Sequence, residues 1–146
     1  EVLVATGGLT VSLGAATITD VEWITTTADK SAGFTLSARV RYNEAVDVAV
    51  SNPTIAVTNS NAGSGSGRGP HTLTYASGTG TNELVFSLVI AAANAATNAD
   101  DVLSIAAQSI TLASSSTIKD AGTTTVSERV ITSAQSTACG TITVVA

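Results

Sequence analysis

The sequence has no Met, one Cys, one His, one Trp and two Pro. With Cys139 alone, no internal disulfide can staple the fold. One His and one Cys cannot complete a four-ligand zinc site. A nucleophilic triad would need His71 beside a nucleophile and an oriented carboxylate, and Ser is so frequent that one near His71 carries no information. Charged residues are only 12% of the chain, and the net charge is −5. That balance disfavours a phosphate-binding surface, which needs clustered Lys or Arg. Arg39 and Arg41 are the only close basic pair; they read as a solvated strand face or an interface pair rather than a nucleic-acid site. No apolar run reaches the length of a membrane span, and "LVIAAANAA" (88–96) is the most apolar stretch. The N-terminus begins with Glu and lacks a basic segment, so it does not read as an intact signal peptide. A chain without Met reads as one that has lost its initiator or is part of a longer product.

Motifs for chemistry are equally scarce. "GSGSGRG" (63–69) is not followed by Lys-Ser or Lys-Thr and precedes a strand, so it is read as an exposed hairpin loop and not a phosphate cradle. The carboxylates Glu22, Glu44, Asp47, Asp100, Asp101 and Asp120 never form the D-x-D-x-D spacing that calcium loops use. Asp100, Asp101 and Asp120 are the one set that could make a weak cation site in space. A glycosidase acid pair is not visible from spacing, and five aromatic residues offer few sugar platforms. We therefore assign no catalytic, cofactor-binding or metal-binding residue, expect no cofactor, and expect the protein not to be an enzyme. Cys139 reads as a small buried residue or a tolerated thiol. His71 and Cys139 are both expected to be replaceable by Ala without loss of activity.

What is present is Thr, Ser and aliphatic side chains. There are 24 Thr and 17 Ser, and hydrophobic residues make up 44%. Thr and Val favour half-buried pleated surfaces, so the composition predicts an all-β protein with hydroxylated outer faces. "GFTLSARVRY" (33–42) alternates cleanly: Phe34, Leu36, Ala38, Val40 and Tyr42 share one face, and Thr35, Ser37, Arg39 and Arg41 the other. "NEA" (43–45) reads as a turn before "VDVAV" (46–50), and Asn52-Pro53 breaks the ladder before "TIAVT" (54–58). "LTYASGTGTNELVFSLVI" (73–90) reads as a hairpin. "AAANAATNADD" (91–101) reads as a loop with at most a helical turn. Further strands are expected at 20–28, 102–112, 117–120, 123–133 and 140–146. Turn signals every 8 to 12 residues describe an immunoglobulin-like antiparallel β-sandwich of seven or eight strands. The expected core is Phe34, Leu36, Val40, Leu84, Phe86, Leu88, Ile105 and Ile110. The division expected is an N-terminal β arm (1–18), the sandwich (19–138) and a C-terminal strand (139–146).

The phrases "VRYNEAVDV", "PTIAVTN", "LTYASGTGTNELVFSLVI", "ADDVLSI" and "SITLASSSTIKDAG" resemble a family of bacterial immunoglobulin-like surface repeats. Tyr42-Asn43-Glu44 stands where that family has an aromatic, Ser and Glu, and Ser114-Ser115 replaces a Gly pair. The flanks "LTVSLGAATIT" and "GTITVVA" resemble short β phrases in structural proteins of marine tailed phages. The second resemblance implies a virion structural protein: a capsid decoration or cement protein on the virion surface, acting by protein–protein contact. Its implied partners are the major capsid protein or other virion proteins, in a homo-oligomer or multi-copy assembly, with no nucleic acid and no membrane. The first resemblance implies the alternative, an adhesive module at a bacterial cell surface. The apolar positions Val2, Val4, Leu9, Val11, Leu13, Ile142 and Val144 are expected to be left uncovered by one small sandwich and buried in the assembly. These arm positions are expected to contact the host shell or neighbouring subunits, so deleting residues 1–18 is expected to leave a folded, soluble module that no longer assembles.

Overall fold

The computed structural model describes residues 14–50, 53–61 and 69–146. The expected N-terminal arm therefore lies, up to residue 13, outside the described residues, as does most of the Gly/Ser loop. The chain forms β1 (Ile18–Trp23), β2 (Ala28–Asp29), β3 (Phe34–Ala49), β4 (Thr54–Asn61), β5 (His71–Ser77), β6 (Thr81–Ile90), β7 (Asp101–Ser104), β8 (Gln108–Ser109), β9 (Thr117–Asp120), β10 (Val130–Ile131), one helix α1 (Ser133–Cys139), and β11 (Thr141–Val145). The all-β class expected from composition is what is found, with a single short helix among the described residues.

One sheet runs in the order β1-β3-β6-β5-β4-β7-β11-β2, with β9 also paired to β3; β8 and β10 form a separate small ribbon. Its two end strands, β1 and β2, are joined by only the four residues 24–27. Laid flat, seven inter-strand steps would separate them by roughly 34 Å. The link, five residue-to-residue steps, reaches at most about 18 Å. The sheet must therefore curl back on itself and enclose its apolar face.

That enclosed face is the core. Leu36, Ala38, Val40 and Tyr42 of β3 meet Leu84, Phe86 and Ile90 of β6, with Ile55, Val57, Leu73, Leu103, Ile105, Ile110 and Ile118 packed around them. Tyr75 meets Phe86 edge-on, with ring centroids 6.0 Å apart. Of the expected core, six residues are fully buried, while Phe34 and Leu88 pack against it partly buried. Asp120 and Tyr42 tie polar groups to the core. Asp120 Oδ1 accepts from the Ala16 amide and the Ser127 hydroxyl, both at 2.8 Å. The Tyr42 hydroxyl donates to Glu128 O at 2.9 Å.

The structure corrects several expectations. No turn forms at 43–45. Instead β3 continues through a register shift between Arg41 and Val46, exchanging partner β1 for β9. The backbone is supported through the shift by Asn43 N, which donates to Thr17 O, and Ala45 O, which accepts from Ala121 N. The sheet is mixed rather than wholly antiparallel, since β11 and β2 run parallel with Val144 opposite Ala28. These strands are far apart in sequence, so no hairpin fixes their sense. The run 102–112 is two short strands, β7 and β8, not one. In 123–133 only Val130–Ile131 is a strand, followed directly by α1. Ile142 and Val144 are not left uncovered. They are buried in the core, because β11 lies between β7 and β2. Ala16 and Ile18 are also buried, so removal of 1–18 would cut into the core.

Parts of the edges along the described strands are covered. Gln135 Nε2 of α1 donates to Ile18 O of β1 at 2.7 Å. The free side of β9 is met by Thr125 and Ser127, through Asp120 N to Thr125 O and Ser127 N to Ile118 O. The first half of β4 is covered by Thr111 and by the Gln108 amide, which bonds both Ala56 N (2.9 Å) and Ala56 O (2.8 Å) like a strand residue. β2, at the far end, is only two residues long. These are the usual ways of blunting a sheet edge.

Two substitutions test this packing. Phe86→Ala should cost about 3–5 kcal/mol in denaturant unfolding, since the ring is fully buried. In the β5–β6 turn Gly78 has φ 115°, and an added Cβ would lie 2.0 Å from Glu83 O. Gly78→Ala should therefore lose clearly more stability than Gly122→Ala, where φ is also positive but no atom lies within 4 Å. Equal losses would mean the turn is not held as described.

Candidate functional site

Strand alternation that points apolar residues inward points a second set outward, and this outer face has two parts. The first is charged. Asp20 and Glu22 of β1 stand opposite Arg41 and Arg39 of β3, and Arg41 stands opposite Glu83 of β6. Arg39 donates to Glu22 (Nε to Oε1, 2.7 Å) and Glu83 (Nη1 to Oε2, 3.3 Å). Arg41 donates to Glu83 (Nε to Oε1, 3.0 Å) and Glu22 (Nη2 to Oε1, 3.2 Å), with Asp20 at 3.7 Å. Arg39 and Arg41 are thus an ion-pair network across three strands. Hydrogen bonding to Glu22 raises the Arg39 pKa above its ordinary value, and hydrogen bonding from Arg41 holds the Glu83 carboxyl below its own. The guanidinium groups are committed to carboxylates, and the cluster is only part-exposed.

The second part is uncharged. Thr54, Ala56, Thr58 and Ser60 of β4, Thr72 and Thr74 of β5, Val102 and Ser104 of β7, and Thr141 and Thr143 of β11 alternate with the buried residues of their strands. Register aligns them into rows. Thr54 pairs with Thr74, Thr74 with Ser87, and Ser87 with Ser37. Thr58 pairs with Ser104, and Ser104 with Thr141. The Thr58 and Ser104 hydroxyls are 2.7 Å apart. Four adjacent strands therefore carry an outer face of hydroxyl, methyl and isopropyl groups with no charge on it among the described residues.

The residues weighed for chemistry lie apart. His71 opens β5 at 5% exposure, with Nε2 2.9 Å from the hydroxyl of the fully buried Thr97. Burial lowers its pKa, and Asp101 partly offsets this. Asp101 Oδ2 accepts from Asn59 Nδ2 (2.9 Å) and Asn98 N (2.8 Å), whereas Asp120 is engaged with Ala16 and Ser127. Asp100 follows the 91–98 loop in a left-handed conformation, φ 72°. Asp47 accepts from Gly122 N at 3.0 Å, and half-buried Glu44 sits in the β3 register shift. No three of His, Cys, Asp and Glu converge to hold a metal ion among the described residues. Cys139 ends α1 half-buried, and its thiol pKa is pushed up to about 11, first by burial and then by Asp20 and Glu22. No helix among the described residues is long and apolar enough to cross a membrane. The expectation that His71 tolerates Ala meets a structural cost, since Thr97 would lose its buried partner.

Sequence reasoning found the Arg pair but not its acids. The signal was available: Glu83 falls on the outward phase of β6, as Arg39 and Arg41 do on β3. Thr97 had no such signal, because it lies in a loop without periodicity. Comparison with known proteins adds no assignment: no family model, curated protein or solved structure matches the chain.

Two outcomes follow. Glu83 has a depressed folded pKa, so its ion pairs stabilise the fold above about pH 4.5, and that contribution is lost as pH falls through the folded value. Glu83→Gln should flatten the stability loss below that pH, measured by denaturant midpoints at neutral and acid pH. The Cys139 thiol should be alkylated at about pH 8 on the order of 100-fold more slowly than a free cysteine, because so little thiolate is present. Alkylation at the free-thiol rate would contradict its burial.

Proposed function

We propose that the chain is an immunoglobulin-like structural module that acts by protein–protein contact, as a decoration or cement protein on the surface of a tailed-phage head. The observation that carries this reading is the uncharged hydroxyl-rich face over β4, β5, β7 and β11. Depletion of charge marks the buried centre of protein interfaces, and rows of Thr and Ser supply hydrogen bonds without a heavy desolvation cost. The curled sheet enclosing one core suits the immunoglobulin-like description, and the "SGTGTN" phrase that carries the family resemblance forms the β5–β6 turn. The mechanism is contact and not catalysis; the partners are the major capsid protein or sister copies, and neither nucleic acid nor membrane. Because these edges are partly covered, attachment runs through faces rather than through strand addition to the body.

The same resemblance supports a second reading, an adhesive module at a bacterial surface; tandem copies in the full gene would favour it. Mass spectrometry of purified particles separates the two. Thr58→Arg with Thr141→Arg should abolish cosedimentation with undecorated particles while the protein stays folded. Near-molar salt should leave wild-type attachment nearly intact, since screening acts on exposed charge. Retained cosedimentation of the double variant, or stripping by salt, would overturn attachment through this face.

A further inference from the structure

The loop 91–100, between β6 and β7, contains no strand and buries Thr97. It is held from two sides. On one side Lys30 Nζ donates to the carbonyls of Ala92 and Asn94, the latter at 2.7 Å. On the other, Asn59 Nδ2 and Gly69 N both donate to Ala96 O, at 3.1 and 3.2 Å, and His71 holds the Thr97 hydroxyl. Thr97 is the loop's one fully buried polar side chain, and its partner is the only histidine in the chain.

We infer that His71 is an acid-sensitive latch: its neutral imidazole fastens the 91–100 loop, and its protonation releases that loop while the curled sheet stays folded. A neutral imidazole fits this place because it bonds Thr97 without needing hydration. An imidazolium there would be a cation at 5% exposure, which is costly unless paired and solvated. The elements around the ring bring one charged group to it. Val57 stands opposite His71 on β4, the loop contributes Thr97, and β7 contributes Asp101. Among the described residues Asp101 is the charged group that acts on the ring, and its Oδ2 is already shared by Asn59 and Asn98. It softens the cost of protonation without removing it. Exposure restores the ordinary affinity for a proton, so opening is favoured as pH falls below about 6.5 and the closed loop persists above it. The rest of the sheet resists because, beyond His71 at the first position of β5, its ladders and aliphatic core hold no imidazole, and local opening starts from the least stable unit.

The test is amide hydrogen exchange, corrected for the intrinsic effect of pH, followed from about pH 7.5 to about pH 5. The amides of Thr97 and Asn98 should lose about tenfold protection or more, while those of β3 and β6 hold theirs. In His71→Gln, which keeps a hydrogen-bonding amide but does not titrate, loop protection should not depend on pH. The wild-type protein alone also suffices: being unique, the His71 ring gives an unambiguous NMR titration, and its midpoint should coincide with loop opening. PH-independent loop protection, an opening midpoint away from the His71 titration, or simultaneous opening of loop and sheet would each overturn the latch.

Discussion

The pairing of β3 with β6 is the contact on which the rest of the molecule depends. β3 is long enough, at 16 residues, to serve two partners in turn on its other side. Its first part holds β1 and its last part holds β9, with the register shift at 41–46 between them. Inward, the same two strands supply Leu36, Val40, Tyr42, Leu84 and Phe86 to the core. Outward, they supply both arginines and Glu83. One alternating backbone thus fixes the core and the charged network together. A one-residue slip would exchange them, placing Arg39 and Arg41 inside.

How much of this was legible depended on range. β3 and the β5–β6 hairpin could be read because their information is local: Phe34 to Tyr42 alternates without a break, and Gly78 and Gly80 mark a turn that needs positive φ. Partner exchange at Asn43–Ala45 could not be read, because the groups that make it possible, Thr17 and Ala121, are remote in sequence. The parallel pairing of β2 with β11 is hidden for the same reason. The helix α1 is a different kind of miss. Thr132 and Gln135 form a reciprocal capping box, a spacing present in the sequence and obscured by the β-favouring residues around it. At the candidate site, the Arg pair could be read from the alternation of 33–42, whereas its partners Glu22 and Glu83 lie on other strands and are joined to it only by register. The uncharged face was visible only as composition, since its rows exist once register aligns Thr54 with Thr74 and Thr58 with Ser104.

The division of the outer surface bears on how such a module meets a partner. Carboxylates already engaged by Arg39 and Arg41 have little left to offer a second protein, and exposed ion pairs contribute modestly. The hydroxyl face is the opposite case. Its side chains are short and lose little rotamer freedom on contact, and several of its hydroxyls remain open to a partner. Edge covering by Gln108, Gln135 and the 125–127 segment leaves that face, rather than those strand edges, as the surface through which the proposed contact would run.

The most direct measurement of this account is hydroxyl-radical footprinting of the protein free and bound to particles, read residue by residue. The account predicts that protection appears at β4, β7 and β11, around Thr58, Val102, Ser104 and Thr141, while Arg39, Arg41 and Glu83 keep their free reactivity. Protection centred on the charged network, or on no part of the sheet face, would contradict it.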